Sequence, residues 1–180
     1  MTNKINPKIK KLILAAMFLA IGMVLPLITM QIKEIGDTLL PMHLPVLLCG
    51  FLCGWRYGAA VGLILPFLRS ATFGMPPIFP QAVWMSAELA TYGLVAGFMY
   101  HSLKKKNIKI IYISLITAQI AGRIVWGITK TLLLLYQSKS FGFAAFITGG
   151  FIDAVPGIIL QLVIIPIIVT LVDREVQKNQ

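Results

Sequence analysis

The residues of this chain that could do chemistry stand inside otherwise apolar stretches. Gln81, Trp84, Glu88 and Thr91 are three, four and three positions apart, so a helix places them on one face. Gln119, Arg123, Trp126 and Lys130, spaced four, three and four, share a second face, and Asp153 and Gln161, eight apart with Gly157 between them, share a third. Arg69 ends a stretch of its own, just before a run stiffened by Gly74, Pro76, Pro77 and Pro80. Carboxylates, guanidiniums, an ammonium, amides and indoles in this mixture suit the capture of a small polar molecule, because such pockets combine flat apolar walls with a few placed polar groups.

Catalysis is poorly served by the same inventory. There is no convincing nucleophile–base pair and no Walker glycine-lysine motif, so any ATP hydrolysis belongs to another subunit. His43 and His101 fall at opposite ends of the expected topology and cannot share a metal; His43, in the outer approach to the second span, could touch ligand, although such a histidine is most often merely hydrated. Cys49 and Cys53 lie four apart in an apolar run with too few companions for a structural zinc site, and read as small core residues. No cofactor is expected in this chain.

The elements that must position these groups follow from composition. The chain has 180 residues, is 58% hydrophobic and 12% charged, and its mean hydropathy is +0.86; soluble domains carry about a quarter charged residues. Six apolar stretches, at about 12–30, 40–54, 57–73, 79–103, 108–136 and 146–172, predict an all-α integral membrane protein. The expected form is one compact bundle of six transmembrane helices without a linker. Continuous apolar runs favour helices over a barrel, whose strands alternate. The opening "KIKKLILAAMFLAIGMVLP" imitates a secretory signal but has a longer apolar core and no clear cleavage site, and is read as an uncleaved first span.

Six spans put both termini on one side, with 11 of the 16 Lys and Arg. The positive-inside rule makes that side the cytoplasm. The net charge of +10 then reflects topology and attraction to anionic lipid rather than nucleic acid. At about 1.5 Å rise per residue, Glu88 and Asp153 lie roughly 10–14 Å inside the outer ends of their spans. Arg69 stands near the outer mouth, able to face a ligand or snorkel outward, and the proline-rich run after it forms a stiff wall or cap. Charges at such depth are functional candidates. The competing reading is structural: Arg69 with Glu88, and Arg123 with Asp153, as neutralising interhelical pairs.

Small residues form a second pattern. Ala16 and Ala20, with Ala15 adjacent, make an Ala-x-x-x-Ala pair, and Gly50, Gly54, Gly58 and Gly62 recur every four residues. This spacing lets helices approach closely, which serves tight internal packing or a partner surface equally well.

With its six spans in fewer than 200 residues, its basic N-terminus and Ala16-x-x-x-Ala20, the chain resembles the substrate-binding S component of an energy-coupling factor (ECF) vitamin transporter. The segments "PMHLPVLLCGFLCGWRYGAAVG" and "PFLRSATFGMPPIFPQAVWMSAELATYG" carry the likeness most specifically. The resemblance implies high-affinity capture of a vitamin outside a bacterial cytoplasmic membrane. It implies assembly with a membrane T component and two cytoplasmic ATPases, and a toppling motion that carries the ligand inward. It implies docking through the Ala16/Ala20 face, to which Gly58 and Gly62 add on spacing. It also implies a ligand walled by the outer halves of spans four to six and covered by the loops Gln31–Leu39, Ser70–Pro80 and Gln137–Ala145.

The ligand-binding set is therefore Arg69, Trp84, Glu88, Gln119, Arg123, Trp126, Lys130 and Asp153. One excess cation in this tally favours an anionic or zwitterionic ligand, and within the family the likeness is to S components assigned to pantothenate. Pyridoxine or hydroxymethylpyrimidine would suit stacking on the same tryptophans beside Glu88. Two other classes stay open: a membrane-embedded lipid enzyme using Glu88 or Asp153 as a base, and an assembly subunit with no ligand.

Overall fold

The computed structural model describes residues 6–29, 39–103 and 107–178. The α-helices described run α1 Pro7–Thr29, α2 His43–Cys53, α3 Trp55–Phe73, α4 Val83–Ser102, α5 Ile108–Tyr136, α6 Phe143–Ile147 and α7 Val155–Lys178. No strand occurs among the described residues. Wide helical turns at Ile78–Ala82 and Thr148–Ile152 lead into α4 and α7; Phe79 inside the first is extended, at φ −123° and ψ 132°.

Local sequence explains the boundaries. Pro7 occupies the first position of α1, where its missing N–H costs nothing. Asn107 caps α5, its side-chain oxygen accepting from Ile110 N at 3.1 Å, as short polar side chains do at helix starts. Gly74 ends α3 in the left-handed region at φ 70°, a conformation that favours glycine. Pro26, Pro66 and Pro166 lie within helices, as neighbouring helices allow in apolar bundles.

Four helical segments among the described residues are long and apolar enough to cross a membrane: Pro7–Leu27, Ile78–Ser102, Ile108–Tyr136 and Phe143–Glu175. The second apolar stretch behaves differently. Its helix α2 has only 11 residues, roughly 16 Å at the α-helical rise, against a bilayer core of about 30 Å. Nine of those residues are buried. A helix apolar all round belongs in a core, and α2 packs on α1, α3, α4 and α7. Val46, Leu47, Cys49 and Phe51 meet Leu65 of α3, Leu89 and Ala96 of α4, Leu115 of α5 and Ile165 and Val169 of α7 in one core. Helix α4 lies against α2, α3 and α5, so the face bearing Trp84 and Glu88 sits at the middle of the assembly.

Close approach of α2, α3 and α4 requires glycine. A Cβ on Gly93 would fall 2.3 Å from the Gly58 carbonyl oxygen, and one on Gly62 would fall 2.4 Å from that of Leu89. Gly58 and Gly62 are thus buried inside the bundle, which corrects their expected place on a partner surface: with Gly50 they serve internal backbone contact, while Gly54 turns the chain at φ 101°. Ala16 and Ala20 differ. Both are exposed on α1 while Ala15 is buried.

Candidate functional site

The polar faces of α4 and α5 meet in a buried layer. Glu88 and Arg123 are 2% and 4% exposed, and Arg123 Nη1 donates to Glu88 Oε1 at 2.9 Å. The Tyr92 hydroxyl donates to the same oxygen at 3.2 Å. His43 Nε2 of α2 approaches it at 3.4 Å, with the His43 ring edge-on to Tyr92 at 5.1 Å between centres. One carboxylate oxygen thus gathers three helices. Beside it, Gln119 Nε2 of α5 donates to Gln161 Oε1 of α7 at 3.0 Å, both side chains buried.

This wiring corrects the alternative ion pairs. Arg123 pairs with Glu88, not with Asp153. Asp153 is exposed in the turn before α7 and makes no ion pair with the other described residues; the structure does not bring it into the layer. Arg69 neither reaches Glu88 nor snorkels outward. It is 1% exposed, its Nη1 donates to the Met23 carbonyl of α1 at 2.8 Å, and its guanidinium lies 5.3 Å from the Phe73 ring centre.

Several buried donors of the layer are left over. Among the described residues, Arg123 Nε and Nη2, Gln161 Nε2 and both ring nitrogens of His43 have no hydrogen-bond partner. Buried polar groups are nearly always satisfied, and each exception needs an explanation; binding of a molecule with acceptor oxygens would satisfy these donors. The guanidinium's free edge, Nε with Nη2, matches the two oxygens of a carboxylate.

An aromatic cluster adjoins Arg123. Trp126, one turn along α5, stacks on Phe146 at 6.1 Å and meets the edge of Phe141 at 5.7 Å. The Arg123 guanidinium is 6.0 Å from the Trp126 ring centre. The Lys130 ammonium stands among three rings, at 4.5 Å from Trp126, 4.6 Å from Phe141 and 5.4 Å from Trp84, where cation–π attraction holds it. Trp84, Trp126, Lys130, Arg123, Glu88 and Gln119 therefore occupy one continuous region of α4 and α5. Tyr92 and His43 belong to it as well. The sequence signal for Tyr92 was its place one turn after Glu88, and for His43 its setting in a wholly apolar helix.

A cavity of about 120 Å³ opens on the other side of His43. It lies between α1, α2, α3 and α4 rather than among the last three spans, and its walls include His43, Arg69, Gln81, Met42, Met75 and Met85. Of the eight expected binding residues only Arg69 lines it. The proline-rich run contributes Met75 and Pro76 to its rim, so this segment walls a cavity, as anticipated. The loop Gln31–Leu39 lies outside the described residues apart from Leu39. A larger groove of about 490 Å³, lined by Ile124, Ile128, Leu132, Phe143 and neighbours, runs along the exposed isoleucine stripe of α5 and offers no charged group.

A family model described as "ECF transporter, substrate-specific component" matches residues 10–169. No curated protein and no solved structure matches the chain.

Proposed function

Because the chain belongs to the ECF transporter substrate-specific component family, a family of transport-specificity subunits that associate with T and ATPase components, we propose that it captures a water-soluble vitamin, pantothenate first among them. It would do so as a six-pass protein of the bacterial cytoplasmic membrane with both termini inside. A membrane T component docks on the exposed Ala16/Ala20 face of α1, and two cytoplasmic ATPases supply the energy.

One observation carries this reading: a buried guanidinium whose Nη1 is clamped by Glu88 while Nε and Nη2 have no hydrogen-bond partner among the described residues. Glu88 fixes the plane of the group and leaves its bidentate edge for the ligand's carboxylate. The unpartnered Gln161 Nε2 and its neighbour Gln119 take hydroxyl or amide oxygens. Trp84 and Trp126 pack the branched apolar end, and Lys130 adds positive charge. Asp153, exposed, has no part in this arrangement, and Arg69 acts from the neighbouring cavity.

Mass spectrometry of the chain purified in detergent tests the reading. Pantothenate retained by the wild type and lost from Arg123→Glu is the expected result. Undiminished pantothenate binding by Arg123→Glu would overturn the carboxylate assignment. Retained pyridoxine or hydroxymethylpyrimidine would move the ligand to stacking on the tryptophans beside Glu88, and chemical conversion of a lipid would replace transport with catalysis.

A further inference from the structure

A second cavity, of about 290 Å³, lies at the opposite end of α2 from His43. Its walls come from Lys11 of α1, from Cys53, Trp55, Arg56 and Tyr57 around the α2–α3 turn, and from His101 at the end of α4. Three of these side chains are basic and none is acidic. Lys11 and Arg56 are exposed and make no ion pair with other described residues. The Arg56 guanidinium rests 5.1 Å from the Trp55 ring centre, which holds it over the cavity. His101 is fixed by its Nε2–H, which donates to the Phe51 carbonyl at 3.0 Å. Asp173 of α7 accepts a hydrogen bond from the Tyr100 hydroxyl and does not line the cavity. Trp55 is 41% exposed, and Leu12 and Ile13 of α1 are exposed beside Lys11. An indole and basic side chains next to exposed apolar residues mark the level where headgroups meet acyl chains.

We propose that this cavity binds a phosphate oxyanion, supplied by the headgroup of an anionic phospholipid in the leaflet that faces the basic end of the bundle. Lys11 and Arg56 neutralise the charge, with Arg56 offering paired donors to two phosphate oxygens, and Trp55 and Tyr57 wall the glycerol portion. The apolar surface below Lys11 takes the first methylenes of the chains. The site is distinct from the Arg123–Glu88 layer and does not depend on which vitamin that layer accepts.

Native mass spectrometry of the full chain with equimolar phosphatidylglycerol and phosphatidylcholine tests it. Each basic residue near an anionic headgroup contributes about 1 kcal/mol, or roughly fivefold in binding. The wild type should therefore retain phosphatidylglycerol preferentially, and the exposed pair Lys11→Gln/Arg56→Gln should lose that preference about tenfold or more. A control with the same charge removed from the same end, Lys8→Gln/Lys109→Gln, should lose clearly less of it, because neither residue lines the cavity. Displacement of the lipid by inorganic phosphate would support the oxyanion site and show that free phosphate also enters; resistance to displacement would support the lipid as its source. Equal retention of both lipids by the wild type, or equal loss in the two double variants, would overturn the proposal.

Discussion

Replacing Glu88 with Gln leaves Arg123 buried without a counter-charge. Breaking a buried ion pair from one side costs about 3–5 kcal/mol, and the surroundings here place Glu88→Gln in that range. Glu88 is 2% exposed, and no other carboxylate of the described residues is paired with Arg123. Gln at 88 still accepts one hydrogen bond from Nη1, but the full positive charge stays. Arg123→Gln should cost less. It leaves a carboxylate still served by the Tyr92 hydroxyl and facing His43, whereas Glu88→Gln leaves the guanidinium with a single amide. The double variant removes both charges and restores amide pairing, so its cost should fall to about 1 kcal/mol. The coupling energy of the cycle is then about 2 kcal/mol or more even before the cost of Arg123→Gln is added, well beyond the few tenths seen for independent sites. Reversible unfolding in mixed detergent micelles measures all four proteins. Additive costs, with the double variant as damaged as the sum of the singles, would refute the claim that these two groups neutralise each other in the bundle.

Three further outcomes follow from the packing and the cluster. Gly93→Ala should destabilise by about 1–3 kcal/mol, because its Cβ meets the Gly58 backbone, while Gly142→Ala, where nothing lies within 4 Å, should be neutral in the same unfolding assay. Ala16→Trp with Ala20→Leu, both exposed, should leave stability and vitamin binding unchanged yet abolish co-purification with the T component; unaltered recovery of that partner would remove α1 as the docking face. Trp126→Ala should cost about 3–5 kcal/mol through the void left against Phe146 and weaken ligand binding measured by calorimetry, whereas Trp126→Phe should retain most of the stability.

What the sequence made legible was periodicity. Trp84 with Glu88, and Arg123 with Trp126 and Lys130, fall on single helical faces because spacing of three and four fixes their direction whatever the neighbours do. Pairing between faces was not legible, since it depends on which helices adjoin. That is why Glu88 was matched with Arg69 when the α4–α5 contact gives it to Arg123. The glycine repeat was ambiguous for the same reason: small residues permit close approach but do not say to whom, and Gly58 and Gly62 turn to α2 and α4 inside the chain. His43 was discounted because histidine is usually solvated, and its burial follows only from the enclosure of α2 on several sides. The cavity beside Arg69 arises from α1, α2, α3 and α4 together, a conjunction that no single stretch of residues announces.

The central claim is that ligand is held beside Trp126 and Arg123, far from the Trp55 end of the bundle. The chain's three tryptophans make this directly measurable by titrating the retained vitamin into the Trp55→Phe and Trp126→Phe variants and following emission, with calorimetry confirming that each still binds. The ligand-induced change should survive intact in Trp55→Phe and fall clearly in Trp126→Phe, where Trp84 is the site's remaining reporter. A change that vanishes with Trp55 and persists without Trp126 would contradict the account.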